Sequence, residues 1–389
     1  MSNQLVVTPV SEPAAPTAPA AGARLVSLDL FRGITIAAMI LVNNPGDELS
    51  AYWPLRHAQW NGWTPTDLIF PFFLFIVGTA MAFSFPARLD RGASRREVLV
   101  HVLWRGLALF AIGLFLNGFP NHYQLDHWRV YGVLQRIAVC YVLVAVLELR
   151  AGWRTQLALV CASLAGYWVL MRFIPVPGFG IPVHDVPLLD PDRNLAAWLD
   201  RELLPGHLYE VTRDPEGVLS TIPAVATCLL GLLAGKWLRT PRTSGSKALG
   251  LALSGITLAV LGKVADVWFP INKKLWTSSF VLFTAGLALI GLAILYWIVD
   301  SRKHRGSWTK PILVFGKNAI AAYVFAEVVA HLLDRVHLGR FPIQERIYVK
   351  FFLPLATPAI ASLLYALVFV LFCWFAMALL YRRRIFIKI

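Results

Sequence analysis

From about residue 24 onward, apolar runs of roughly 20 residues alternate with short polar joints. A hydrocarbon core about 30 Å thick is crossed by roughly 20 helical residues at about 1.5 Å each. The pattern therefore predicts ten spans, at 27–44, 65–85, 97–118, 130–149, 153–173, 218–238, 246–265, 277–299, 311–331 and 353–380. Alternating ten-residue segments are absent, which excludes an outer-membrane barrel. The expected fold class is an all-α integral membrane protein, a polytopic bundle of about ten transmembrane helices. Residues 1–23 are rich in Ala and Pro, with no Lys or Arg and no apolar core, so they read as a disordered tail and not as a signal peptide. Residues 24–389 then form the transmembrane domain.

An even number of spans puts both termini on one side. The joints on that side hold most of the bases: Arg88, Arg91, Arg95 and Arg96, then Arg150 and Arg154, then Lys236, Arg239, Arg242 and Lys247, then Arg302, Lys303, Arg305 and Lys310, and finally Arg382 to Lys388. Bases next to span ends mark the cytoplasmic side, so both termini are expected there. The first two opposite joints carry one base each, Arg56 and Arg129, and the long joint 174–217 offsets three arginines with eight acids. The joints 266–276 and 332–352 are more basic than the rule favours. The Pro and Gly content of 174–217 argues for irregular backbone, long enough to shape the mouth of a site.

Composition agrees with a membrane protein and removes other classes. The chain is 57% hydrophobic and 15% charged, with mean hydropathy +0.61, against about 25% charged in soluble domains. The net charge of +14 is scattered among joints without a basic stripe, so no nucleic-acid partner is expected. Cys140, Cys161, Cys228 and Cys373 all fall in apolar runs and read as small buried hydrophobes, with no metal site implied by their spacing. No phosphate-loop, dinucleotide-binding or HExxH motif is present.

Polar residues inside spans are costly and mark function. Their densest cluster lies between residues 27 and 71. Asp29 and Arg32, three apart, share a helix face near its start, either as a site-ordering pair or as a snorkelling arginine with a dipole-favoured acid. Asn43 and Asn44 precede Pro45 and Gly46, a helix stop. His57 follows on a joint bounded by Trp53, Trp60 and Trp63, and its near-neutral titration suits a base or an acid. Asp67 opens the second span and either caps it or orients the histidine. Arg105, Arg136 and Lys317 are cations within spans; Glu97 and Glu327 are available to neutralise part of that charge, and a bound polyanion would balance the rest. Asn318 accompanies Lys317. The closing YRRRIFIKI reads as a stop-transfer signal or as a phosphate contact.

The stretch RLVSLDLFRGITIAAMILVNNPG, followed by LRHAQWNGWTPTDLIFPFFLFIVGTAMAFS, resembles the catalytic membrane domain of the heparan-α-glucosaminide N-acetyltransferase family and its bacterial relatives, within a wider transmembrane acyltransferase superfamily. YGVLQRIAVCYVLVAVLEL, GKNAIAAYVFAEV and YRRRIFIKI are further similar patches, so the resemblance runs from Arg24 to Ile389. The joint between Asn43 and His57 is a few residues longer than the family's pattern, and the family's extra N-terminal luminal domain with its leading span is expected to be missing.

The resemblance implies acetyl transfer across a membrane, from cytoplasmic acetyl-CoA to a glucosamine amine on the far side. It places the active-site histidine at His57, matches Asn43 and Arg136 to motif residues, and matches the SxDxFRG motif to Ser27, Asp29 and Arg32. Asn43 would polarise the thioester carbonyl, His57 would serve as base or acetyl carrier, and Asp67 would orient it. Asp29, Arg32, Arg105, Arg136, Lys317, Asn318, Arg382, Arg383 and Lys388 would hold acetyl-CoA, with no metal. The implied setting is multi-pass in a bacterial inner (plasma) membrane, as a homodimer. Gly231 and Gly235 form a GxxxG on the sixth span, a weak pointer to a dimer face. Two other readings stay open: a permease for amino sugars, suggested by ten spans with buried charges, and an O-acyltransferase of envelope glycan, which an ester product would reveal.

Overall fold

A computed structural model describes residues 25–119 and 123–387; the expected disordered tail and Lys388 lie outside the described residues. The chain folds into α1 (Val26–Asn43), α2 (Ile69–Leu89), α3 (Arg95–Gly118), α4 (Val133–Arg150), α5 (Trp153–Phe173), α6 (Leu195–Leu203), α7 (Thr221–Arg239), α8 (Ser244–Ala265), α9 (Ser278–Leu295), α10 (Thr309–Lys317), α11 (Ala319–Arg335), α12 (Ile343–Ile347) and α13 (Pro358–Arg382). Among the described residues the only paired strands are a two-residue hairpin, His337–Leu338 with Phe341–Pro342. This is an all-α, multi-pass membrane protein.

Eight helices among the described residues are long and apolar enough to cross a membrane. α10 and α11 make a ninth if they count as one span, but they are bent by 79° at Lys317–Asn318, where the apolar pattern alone predicts one continuous helix. The tenth expected segment is α4, whose 18 residues include Arg136, Glu148 and Arg150. Helix starts follow local chemistry. Ser94 and Glu97 close a reciprocal capping box on α3, so Glu97 serves that helix end and not the buried cations.

More than half of the residues of α1, α2, α7 and α9 are buried, against about a quarter in α3, α5, α8 and α13, so the first four form the bundle core. Leu249, Leu253, Ile256 and Val260 lie along one outward face of α8, as expected of a helix bordered by lipid. Without a hydrophobic drive between helices in lipid, small residues set the closest contacts. A Cβ on Gly78 of α2 would sit 1.9 Å from the Cys228 carbonyl oxygen, and one on Gly231 of α7 would sit 2.0 Å from that of Phe75. Gly235 meets Thr79 and Ala82 in the same seam. The GxxxG of α7 therefore packs inside the chain instead of offering a dimer face.

Cys140, Cys228 and Cys373 are buried as expected, whereas Cys161 is exposed on α5. The joint 174–217 is mostly irregular, as its Pro and Gly predict, with three isolated bridges and the short amphipathic α6.

Candidate active site

The site begins where α1 stops. Asn44 turns its side chain back to donate to the Ile40 carbonyl, 2.8 Å, and Pro45 has no N–H with which to continue the helix. The chain then loops to Thr64, which opens the turn Pro65–Leu68 leading into α2. Thr64 and Asp67 form a capping box: Asp67 Oδ2 accepts from the Thr64 N–H at 3.0 Å and also from the Ala58 N–H at 3.0 Å. Its other oxygen, Oδ1, lies 2.7 Å from His57 Nδ1. Asp67 thus performs both roles left open by its position, capping the second span and orienting the histidine. The carboxylate is buried while the His57 side chain is 47% exposed, so the ring is held from behind and open in front. With a proton on Nδ1 shared with Asp67, Nε2 is the basic nitrogen of the ring.

Lys273, 216 residues away in sequence, completes the cluster. Its Nζ is 3.0 Å from His57 Nδ1, 3.4 Å from Nε2 and 3.5 Å from Asp67 Oδ1. Two bonds stitch its joint to the histidine loop: Gly62 N–H to the Ile271 carbonyl, 2.7 Å, and Asn272 Nδ2 to Asn61 Oδ1, 3.1 Å. Burial lowers the Lys273 pKa below the usual lysine value, against the opposing pull of Asp67 and Glu216. The excess of bases in the 266–276 joint was the sequence signal for this residue: Lys273 and Lys274 line a cavity there.

That cavity holds about 650 Å³, within the range of small-molecule sites. His57, Asp67 and Asn43 all line it, joined by Glu327 of α11 and by Tyr209 and Glu216 of the long joint. Joint 174–217 therefore does shape the site. It is anchored by Arg129, whose guanidinium binds Asp214 at 2.7 and 2.8 Å and Glu216 at 2.5 Å. Burial opposes the Arg129 charge, yet the two carboxylates hold its pKa above the ordinary arginine value. Asn43 Nδ2 donates to Glu327 Oε1 at 3.4 Å, so Glu327 pairs with Asn43 and not with the buried cations.

A second polar cluster lies at the other end of α1. Asp29 and Asn43 are fourteen residues apart, about 21 Å at 1.5 Å per residue. Arg32 Nη1 reaches Asp29 at 3.3 Å and the Gly316 carbonyl at 3.4 Å. α1 and α10 approach so closely here that a Cβ on Gly316 would sit 2.0 Å from the Asp29 carbonyl oxygen. Lys317 Nζ lies 3.3 Å from the Tyr381 hydroxyl and over its ring, and Asn318 clamps the C-terminal segment through the Ile385 carbonyl, 3.2 Å, and the Ile387 N–H, 3.0 Å. Arg382 and Arg383 are exposed beside it. Asp29, Arg32, Lys317 and Asn318 are thus brought together.

Arg105 and Arg136 are not part of that group. Arg105 stacks on Tyr141 at 5.1 Å. Arg136 sits at the His57 end, donating to the Gly217 carbonyl at 3.0 Å and to Ser220, while its Nε and Nη1 have no hydrogen-bond partner among the described residues. Among the described residues no group of His, Cys, Asp and Glu is arranged to hold a metal ion.

A family model described as heparan-alpha-glucosaminide N-acetyltransferase, catalytic, matches residues 24–272. The mouse (Mus musculus) and human (Homo sapiens) heparan-alpha-glucosaminide N-acetyltransferases are each 34% identical to this chain, over 359 and 362 residues respectively. Each match covers 78% of this chain and 53% of the relative, so the chain spans about half the length of these curated relatives. The family match takes in α1, the His57 loop, Asp67, Arg129 and Arg136, and ends one residue before Lys273. This chain belongs to the heparan-alpha-glucosaminide N-acetyltransferase catalytic family.

Proposed function

We propose that this chain is a membrane acetyltransferase that moves the acetyl group of acetyl-CoA to the amine of a glucosamine-type sugar. The observation that carries the reading is the His57–Asp67 contact at 2.7 Å facing a ligand-sized cavity, in a chain of this family. Asp67 fixes the ring so that Nε2 faces the reactants. His57 then accepts the proton that the amine nitrogen loses as it attacks, or first takes the acetyl group itself. Asn43 donates to the thioester oxygen as negative charge develops there. Asp29, Arg32, Lys317 and Asn318, with Arg382, Arg383 and Lys388, receive the phosphates of the donor on the cytoplasmic side. Its acyl end reaches along α1 to the opposite face, where the acceptor binds. The chain works in a bacterial inner membrane with both termini cytoplasmic, as a homodimer.

The test uses the full chain in nanodiscs, with radiolabelled acetyl-CoA and glucosamine. Labelled N-acetylglucosamine, formed by the wild type and absent with His57→Ala, is the expected result. An ester product would move the reaction to O-acylation. Labelled glucosamine entering sealed vesicles without acetyl-CoA would replace the enzyme with a permease.

A further inference from the structure

Accepting the proposed transfer to an amino sugar, one base at the cavity is not enough. An amine of this kind has an ionisation close to that of an α-amino group, about 7.7–8.0, so at neutral pH much of it arrives as the ammonium, which has no lone pair. It must lose one proton before it attacks and a second as the amide forms. His57 Nε2 has room for only one of these.

Glu327 is the second acceptor the structure offers. It sits on α11, in a segment of spanning hydropathy, where a carboxylate is expensive and its retention marks function. It lines the same cavity as His57, and its side chain is only 23% exposed. Among the described residues its polar partners are weak: Asn43 Nδ2 at 3.4 Å is a long hydrogen bond, and His331, at 3.9 Å on the same helix, is at the limit of an ion pair. The cavity's other cations have partners, Arg56 through the Ala51 carbonyl. Arg129 is spent on Asp214 and Glu216, Lys274 on Glu210 at 3.1 Å, and Lys273 on His57 and Asp67. The remaining titratable groups lining the cavity are Tyr323, one turn earlier on α11, Tyr209 of the long joint, and Glu48 on the joint after α1. A carboxylate with weak partners in the cavity wall is suited to an incoming cation with N–H donors.

We propose that Glu327 is the acceptor-side base: it pairs with the sugar ammonium and takes its first proton. The ammonium and the Glu327 carboxylate become a neutral amine and a carboxylic acid. The amine nitrogen then forms the C–N bond as the C–S bond breaks, its second proton passes to His57 Nε2, and His57 returns that proton to the departing thiolate sulfur. Glu327 releases the first proton to cavity water. The sum is ammonium plus thioester giving amide, thiol and one proton. Asn43, which bonds Glu327, thereby lies between the acceptor nitrogen and the thioester oxygen.

The experiment measures kcat/KM for glucosamine from pH 6 to 8.5 with the wild type, Glu327→Gln and Glu327→Asp, in nanodiscs, with acetyl-CoA binding as the check on folding. Without the carboxylate only amine already free in solution reacts. The Glu327→Gln to wild-type ratio should therefore fall about tenfold per pH unit below the amine pKa, reaching about 50–100-fold at pH 6, and approach unity at pH 8.5. Glu327→Asp should recover much of the loss. A ratio that does not change with pH would overturn the proposal, because a packing defect or an idle residue gives that result. If Glu327→Gln does not bind acetyl-CoA, the wild type decides: activity that tracks the free-amine fraction contradicts the proposal, and activity that exceeds it supports it. A wild type with no glucosamine transfer would remove the transfer reading, and direct binding of radiolabelled glucosamine at pH 6 would then decide. Weaker or lost binding in Glu327→Gln keeps Glu327 as the recognition group; equal binding, or no binding by the wild type, removes it.

Discussion

The two ends of α1 carry different kinds of polar site. At the Asn43 end, the side chains of His57, Asp67 and Lys273 are locked to one another within 3.5 Å and open on a cavity of about 650 Å³. At the Asp29 end, cations gather around a helix broken at Asn318, with Arg32 3.3 Å from Asp29 and Lys317 against the Tyr381 ring. Tight geometry suits chemistry, where a misplaced atom costs rate. A cluster of cations suits recognition of a polyanion, to which each can give a charged hydrogen bond. On this account the first end sets turnover and the second sets donor affinity.

Substitutions should separate the two ends in kcat and KM. The largest effect outside His57 is expected for Asn43→Ala, a drop in kcat of about 10²–10³-fold with little change in acetyl-CoA KM, the cost of losing an oxyanion donor. Steady-state kinetics on the nanodisc protein checks it. Next comes Lys273. Because burial lowers its pKa, its ammonium is lost at a lower pH than that of a free lysine, and activity should fall on the alkaline side accordingly. Lys273→Arg, which stays charged, should move that alkaline limb upward in a pH–rate profile.

At the other end, Arg32→Ala and Lys317→Ala should each raise the acetyl-CoA KM by about tenfold while leaving kcat within a few-fold, as expected when a charged hydrogen bond of about 1.5 kcal/mol is lost. A fall in kcat there, with KM unchanged, would erase the contrast between the ends. The smallest effect concerns stability. Asp200, buried in the long joint, has its pKa raised to about 7 by burial, with Asp214 adding to the rise and the Val218 N–H and Arg136 opposing it. The folded state therefore holds a proton that the unfolded state releases from about pH 4 upward. Stability should decline as pH rises from about 4 to about 7, and Asp200→Asn, which can keep the acceptor for the Val218 N–H at 2.9 Å, should flatten that slope in thermal melts.

Legibility in the sequence followed the same division. The Asn43–His57–Asp67 block lies within 25 consecutive residues, so its helix stop, loop and cap were readable from local chemistry, as were the long apolar helices. Lys273 reaches the same atoms from 216 residues away, and nothing local announces it beyond a joint too basic for its side. The break at Lys317–Asn318 was hidden because hydropathy averages over a span and does not register a single residue leaving helical geometry, as Asn318 does at φ −124° and ψ 39°. Hydropathy gives depth in a span but not which neighbour a side chain meets, so it cannot separate Arg136 from the other buried cations. Gly231 and Gly235 could mark a seam but not its partner, which proved to be α2 of the same chain.

The most direct measurement of the division is on His57→Ala in nanodiscs, with acetyl-CoA affinity and turnover determined on the same preparation. The account predicts a loss of turnover of about 10²–10⁴-fold with the acetyl-CoA Kd within about threefold of wild type. Turnover that survives, or acetyl-CoA binding that disappears along with it, would contradict it.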